Sequence, residues 1–419
     1  MGIAGCSTCF LVLELVLSHT GNVERAVAFP GSDAKIAAFT SRPLAGLLAV
    51  RHRIREDDHE RFAPNAEAVV RGGSAASRLR HGLSPAGRSA LLPLTAMLLA
   101  VPAPRAVAQA QGGWFPRLQL DNDYYNFWRW HTNRPDEEYT NGVRATLTSH
   151  GGSWWGDRFA RDVPDCTEAR RDARACRATT VTIGQELFTP HLDRAPHLVT
   201  GWEQERPYHA WLYATGAALM VSERSRRELS FSLGVTGPPA GGALAQGLAH
   251  QIGFSEAPTG WETQIGFEPG VLAAYRYSLL ALRGGGGRGA GFDVAPEVAV
   301  SIGNVRSHAE LGATARVGWR LSHPWSPAAW RERAPLEWWL SAAGRVSYVA
   351  RDMSLDGTLR RPARRVERVP VVRQYRFGVG IRVKHLTLEY IATTRSREYR
   401  SGPGHHAWGS IVAGATVAR

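Results

Sequence analysis

Glu310-Leu311-Gly312-Ala313-Thr314-Ala315-Arg316-Val317-Gly318-Trp319 and Arg376-Phe377-Gly378-Val379-Gly380-Ile381-Arg382-Val383 alternate between an apolar side and a side of Gly, Thr, Arg or Glu. A period of two belongs to a strand, whose successive side chains point to opposite faces. Val181–Phe188 and Glu228–Val235 carry the same pattern. Counting such segments predicts about twelve strands, near 114–121, 140–149, 179–187, 209–222, 226–236, 262–282, 291–303, 307–321, 336–351, 371–383, 385–397 and 406–418. No uncharged apolar run of about 18 residues follows residue 110, so spanning helices are excluded. A soluble sandwich and an outer-membrane barrel both alternate in this way. An even strand number favours the barrel, with an apolar outer face and a polar lumen. Trp154-Trp155, Trp202, Trp211, Trp325, Trp330 and Trp338-Trp339 lie near strand ends, as interfacial girdles would. The expectation is an all-β, antiparallel 12-stranded transmembrane β-barrel with one short helix in an extracellular loop.

The compartment reading agrees. Arg78, Arg80 and Arg88 precede an apolar stretch, Ser89–Val101, and Ala108-Gln109-Ala110 is a small-residue cleavage motif. Residues 88–110 therefore read as a secretory signal. Residues 1–87 read as a disordered leader or a mis-assigned start, and 111–419 as the barrel. In an oxidising compartment Cys166 and Cys176 are candidates for a disulfide. A pair at that spacing with no nearby His is a poor zinc site. The net charge of +13 comes almost wholly from Arg, since Lys35 and Lys384 are the only lysines. No nucleic-acid motif accompanies it, and an anionic membrane surface is the better partner.

Two stretches depart from plain strand chemistry. Leu120-Asp121-Asn122-Asp123-Tyr124-Tyr125 and Glu138-Tyr139-Thr140-Asn141-Gly142 crowd Asn, Asp and Thr at the ends of a polar loop. Asx side chains favour turns by bonding nearby backbone, and Asn141-Gly142 reads that way. The same oxygens also suit a hard cation. The second stretch, Gly241–Ile252, is rich in Ala and Leu and reads as a short helix, with Gln246 and His250 one turn apart on one face. Glu256 follows six residues later. The chain has no Gly-x-Ser-x-Gly elbow, no His-Glu-x-x-His and no Gly-rich phosphate loop.

Taken in order, these pieces resemble the outer-membrane lipid A 3'-O-deacylases and their uncharacterised relatives. The matching segments are Asn122-Asp123, Tyr139–Gly142, Gly184–Pro190, Glu205-Arg206-Pro207-Tyr208 and Gly237–Gly242. Gln246…His250…Glu256, Gly260–Gln264 and Thr394–Tyr399 complete the set. The resemblance spans about residues 114–419. It implies a 12-stranded barrel with an active site at the outer rim, between the wall and a loop helix. It implies Ca²⁺-dependent hydrolysis of an acyl ester of lipid A, the 3'-linked acyloxyacyl chain. Asn122, Asp123, Thr140, Gln246, His250 and Glu256 map to the family's catalytic pieces, with Asp123, Asn122 and Thr140 toward the metal. The logic resembles that of secreted phospholipase A2. His250 takes a proton from water, Glu256 or Gln246 orients the imidazole, and the ion polarises the carbonyl. Arg194 and Arg206 are the candidates for substrate phosphate. The implied partner is lipid A or lipopolysaccharide of the outer leaflet, met by a membrane-embedded monomer. Two other readings share the architecture: an outer-membrane phospholipase or esterase, and a non-catalytic channel or structural barrel.

Overall fold

The computed structural model describes residues 114–126, 138–150, 163–166, 175–190, 201–252, 259–286, 289–325, 336–359 and 364–416. The signal-like stretch, the leader, Arg194 and Glu256 lie outside the described residues.

Thirteen strand segments follow one another: β1 (Trp114–Asn122), β2 (Glu138–Ser149), β3 (Ala175–Thr189), β4 (His209–Ser222), β5 (Ser225–Thr236), β6 (Pro269–Leu279) and β7 (Leu282–Gly285). They continue with β8 (Ala290–Gly303), β9 (Arg306–Trp319), β10 (Leu336–Asp352), β11 (Val371–Val383), β12 (Leu386–Ser396) and β13 (His405–Ala415). Two helices sit between strands, α1 (Gly242–Ile252) and α2 (Met353–Asp356). Sequence neighbours pair antiparallel, β1 pairs with β13, and β6 pairs with β8. β6 and β7 are two pieces of one stave. β8 meets β6 through Glu297–Gly303 and β7 through Gly291–Val294. The result is a closed 12-stranded antiparallel barrel, as the alternation predicts. Closure leaves no unpaired edge to face lipid.

The two faces sort by chemistry. Leu311 is 65% exposed, Phe377 58% and Ile302 70%, all on the outward side. The inward side carries charges in pairs. Arg276 meets Glu297 at 3.0 Å and Glu310 at 3.1 Å, and Arg345 meets Glu297 at 2.7 Å. A charge in a confined lumen is costly unless partnered, and these charges are partnered with one another.

The two rims differ. One carries both ends of the barrel chain and the connections 150–174, 223–224, 286–289, 320–335 and 384–385. Short turns belong to the periplasmic side and long loops to the outside. The other rim carries 123–137, 190–208, 237–268, 304–305, 353–370 and 397–404, the longer set taken together, and is therefore the outer one. At the periplasmic end Cys166 and Cys176 form a disulfide (S–S 2.01 Å). Both cysteines pack with Ala178, Leu219, Val221, Ala295 and Trp325 in an apolar cluster.

Two expectations change. Trp211, Trp325 and Trp339 are not girdle residues: they are 4%, 7% and 5% exposed and pack inside. Trp338 and Trp319 do face outward, at 44% and 43%. The strand expected from 262 begins only at Pro269. Residues Trp261–Thr263 instead form a 3-10 turn, entered through Gly260 at φ 97°, a left-handed conformation that favours glycine.

Candidate active site

The end of β1 and the start of β2 run side by side, with Asn122 opposite Asn141 and Asp121 opposite Gly142. Asn122 ends the strand and caps the 3-10 turn Asp123–Tyr125. Its Oδ1 accepts the Tyr124 N–H at 2.7 Å, and Asp123 is buried. The Asx chemistry of this stretch is thus real. The chain then folds back over β13: the Tyr125 carbonyl accepts from Tyr390 Oη at 2.7 Å, and Asn126 Nδ2 donates to the Ala407 carbonyl.

Thr140 sits at a break in the ladder. Tyr139 pairs with Phe188 and Asn141 with Leu187, so Thr140 is the extra residue of a β-bulge. Bulges re-aim side chains, and this one turns the Thr140 hydroxyl to Thr189 Oγ1 at 2.5 Å. Thr189 lies two residues beyond Leu187, on the outward face. Asn141 and Gly142 are strand residues here rather than turn residues.

The inward side of the same segment is a dense network. Tyr139 Oη donates to Asp121 Oδ2 at 2.7 Å, and Arg144 reaches Tyr139 Oη at 2.9 Å. Arg144 also pairs with Asp121 and with Glu186, each at 3.1 Å. The Tyr139 ring lies over Gly142, where a Cβ would fall 2.0 Å from the Tyr139 hydroxyl.

Helix α1 covers the outward face one stave further on. Ala245 joins Leu187, Tyr208, Ala210, Ala240 and Trp261 in one cluster, with Leu212 and Val235 at its edge. Leu187 pairs with Ala210 and Leu212 with Val235, so these residues share the outside of the wall. Gln185 Nε2 on β3 donates to the Ala240 carbonyl at 2.6 Å and ties the helix start to the wall. Gln246 is buried and His250 half-buried. Gln246 Nε2 stands 3.4 Å from His250 Nε2, while Gln246 Oε1 accepts the Trp261 indole N–H at 2.6 Å. Asn122, Thr140, Gln246 and His250 therefore belong to the outer face of adjacent staves β1 to β5, at one rim.

Arg206 stands elsewhere. It is fully buried, with Nη1 2.7 Å from Glu138 Oε2 and 3.5 Å from Glu398 Oε2, and Nη2 3.1 Å from Ser354 Oγ. Its guanidinium is committed to a crown over the lumen rather than turned to a lipid phosphate. Tyr399 Oη donates to Glu138 Oε1 at 2.7 Å and Arg395 pairs with Glu398 at 3.0 Å. Burial works to raise the Glu398 carboxyl, but Arg395 and Arg206 hold it down at about 2. Burial opposes the Arg206 charge, yet Glu138 and Glu398 push its pKa up. Glu138, Glu398 and His406 bring one ligand atom each within 4.8 Å of the others, a group that could hold a metal ion. Arg206 already supplies positive charge there. Sequence reasoning missed Glu138, Glu398, Tyr399, Trp261 and Thr189. All five lie in or beside segments of the resemblance, but only the fold shows which partners they meet. Beneath the crown, a lumen cavity of about 200 Å³ is lined by Glu186, His209, Trp211, Tyr213, Arg306 and Asp352, among others.

The family model for outer membrane protein LpxR matches residues 91–417. The chain belongs to the LpxR family of outer membrane proteins. The solved structure of LpxR from Salmonella typhimurium superposes with a TM-score of 0.57 at 20% identity, covering 72% of this chain and 99% of that one. That likeness shows the barrel. The β domain of the Bordetella autotransporter BrkA (TM-score 0.38, 9% identity, 74% and 100% covered) is a more distant match. The translocator domain of NalP from Neisseria meningitidis (0.34, 10%, 79% and 97%) is another. A search of curated protein sequences returns no match. Family and fold together make the chain an outer-membrane protein.

Proposed function

We propose that this protein is a lipid A deacylase of the outer leaflet, hydrolysing the 3'-linked acyloxyacyl ester with His250 as the base. Membership of the LpxR family supports the reaction class. The observation that carries the site is the shared outer face: the bulge turns Thr140 outward beside Asn122, and α1 seats Gln246 and His250 on the same side of the wall. That face meets the bilayer, where a lipid ester is. Directly below, toward the membrane, Leu118, Val143 and Val181 stay exposed on the wall and suit an acyl chain.

His250 is half-buried beside Gln246, and an imidazole is the side chain suited to take a proton from water near neutral pH. Gln246 touches the imidazole and serves as the orienting group; Glu256 is the other candidate. Asn122, Asp123 and Thr140 offer an amide oxygen, a carboxylate and a hydroxyl, a donor set of hard oxygens that fits Ca²⁺ better than a thiophilic metal. Bound there, the ion would polarise the ester carbonyl as a Lewis acid. Thr189 fixes the Thr140 hydroxyl, and the Asp123–Tyr125 turn holds Asn122. Arg194 is proposed to meet a lipid A phosphate. A monomer suffices, since the proposed residues all come from one chain.

Mass spectra of lipid A incubated with the protein test this reading, with and without Ca²⁺, for wild type and His250→Ala. We expect loss of one acyloxyacyl unit with wild type and Ca²⁺ alone. His250→Ala should lose at least about a hundredfold in rate, as removal of a general base does. Full activity in His250→Ala sinks the mechanism. Acyl release from phospholipid vesicles but not from lipid A replaces the substrate.

A further inference from the structure

One charged stretch of the outer rim belongs neither to the crown nor to the proposed site. There the segments 364–370 and 397–404 lie against each other. The Val369 N–H donates to the Glu398 carbonyl at 2.7 Å, and the Arg400 N–H donates to the Glu367 carbonyl at 2.8 Å. Arg368 and Tyr399 form an antiparallel bridge between the two segments. On β11 the Arg373 N–H donates to Ser396 Oγ at 2.9 Å, where β12 ends and Arg397 follows.

This pairing gathers Arg365, Arg373, Arg397 and Arg400 along one side of the rim, all exposed. Glu367 is the carboxylate among them. It lies 2.5 Å from Arg400, and the two side chains are 68% and 72% exposed. A surface pair of this kind is worth little, so it leaves Arg400 open to a second anion. Arg365 and Arg373 have no side-chain partner among the described residues. Cations gathered without counter-charges repel one another, and an anionic ligand relieves that.

Arg373 fixes the depth at which the ligand sits. Below it on the outward face of β11 come Tyr375, Phe377, Val379, Ile381 and Val383, each 43% exposed or more. From Arg373 to Val383 the tilted strand rises about 25 Å, the height of a barrel's apolar band. Tyr375 therefore stands at the top of that band, where girdle aromatics belong. Arg373 lies just above it, among lipid headgroups. A guanidinium pairs bidentately with phosphate, and phosphate is the anion that an outer-leaflet headgroup offers there.

We propose that this basic rim is a docking surface for the phosphates of an outer-leaflet lipid A molecule other than the one being hydrolysed. Its acyl chains lie on the apolar wall of β11, and its phosphates meet Arg373 and Arg397 first. The surface is separate from the proposed site, since β12 and β13 stand between β11 and β1. It does not depend on the catalytic reading.

Native mass spectrometry of the full chain in detergent, without Ca²⁺ so that no lipid is turned over, counts the lipids bound. The probes are lipid A, dephosphorylated lipid A and inorganic phosphate. The variants are Arg373→Ala/Arg397→Ala and Arg365→Ala/Arg400→Ala, with folding checked by migration on unheated gels. Wild type should hold one lipid A more than Arg373→Ala/Arg397→Ala. Restoring that lipid in the variant should take at least about tenfold more lipid A, as the loss of charge-assisted contacts implies. Dephosphorylated lipid A should fail to fill the position, and added salt should empty it. The KM for lipid A with Ca²⁺ should be little changed. Arg365→Ala/Arg400→Ala should weaken the same lipid, and keeps the test open if the first pair does not fold. Unchanged lipid binding in both variants overturns the proposal, and so does equal binding of dephosphorylated lipid A. Displacement by equimolar inorganic phosphate makes the rim a site for the free ion and overturns the lipid dock. A KM that rises in step with the lost affinity assigns the rim to the substrate and overturns it as well. Full activity in His250→Ala, by contrast, removes the catalytic reading and leaves this one standing.

Discussion

Two polar clusters share the outer rim, on different sides of the same wall. The crown over the lumen holds Arg206, Glu138, Glu398 and Tyr399, none more than 7% exposed, with charge set against charge at 2.7 to 3.5 Å. The outer-face cluster holds Asn122, Thr140, Gln246 and His250, of which only His250 can carry a charge, with the buried Asp123 beside Asn122; Asn122 and His250 are half-buried. If the proposed site is right, density of ionisable groups does not mark the place of chemistry here. The crown closes a polar lumen, and its carboxylates are spent on arginines. The outer face presents fewer and mostly neutral groups where a lipid can reach them. Perturbed carboxylates flag functional sites only probabilistically, and structural ion pairs perturb them as strongly.

The sharpest way to break this comparison is to remove the crown's central cation. Arg206→Ala leaves Glu138 and Glu398 facing each other in a sealed space. Stranding buried charges in this way costs about 3–5 kcal/mol. We expect a large drop in the urea or heat midpoint of the folded barrel, with kcat of the surviving folded fraction nearly unchanged. A variant as stable as wild type would show that the crown carries no structural burden. A folded variant with lost activity would return Arg206 to the substrate.

The barrel was legible because alternation is a local signal, and twelve segments of it survive in the primary structure. Arg376–Val383 and Glu310–Trp319 read correctly from spacing alone. The α1 helix was legible from its Ala and Leu content, also a local signal, and a helix there puts Gln246 and His250 one turn apart. What spacing did not reveal is non-local or singular. The bulge at Thr140 is a register slip of one residue between β2 and β3, and no composition marks it. The Trp residues 211, 325 and 339 were misplaced because the face of a strand end depends on registry, which propensity does not encode. Glu138 and Tyr399 lie 261 residues apart and meet only because β2 and the β12–β13 loop close at one rim.

Gly142 joins the two sides of the comparison through the wall. A Cβ there would fall 2.0 Å from the Tyr139 hydroxyl and 3.1 Å from Asp121 Oδ2. Tyr139 cannot swing away cheaply, since Asp121 and Arg144 both hold its hydroxyl. Gly142→Ala should therefore destabilise by about 1–3 kcal/mol, the usual cost of overpacking. Because Tyr139 begins the bulge, activity should fall as well, through Thr140 on the opposite face. Removing the ring in Gly142→Ala/Tyr139→Ala opens the space and should recover part of the stability. A Gly142→Ala barrel as stable and as active as wild type would uncouple the lumen network from the site.

The smallest effect over neutral pH concerns Glu398. Its folded carboxyl is held at about 2 by Arg395 and Arg206 against the opposing effect of burial, whereas an unfolded glutamate titrates near about 4.3. A depressed carboxyl contributes stability that is complete above the unfolded value and is lost as pH falls through the folded one. With Glu138→Gln in both proteins, because that second carboxyl shares Arg206 with Glu398, the stability difference made by Glu398→Gln should be constant from pH 8 to about 5, then shrink between about 4.3 and the folded value. Measuring unfolding midpoints of both proteins across that range tests it. A difference that already shrinks between pH 8 and 6 would mean that Glu398 shares its proton with the crown. The ion pairs would then be a titrating device, and the contrast with the outer face would rest on burial alone.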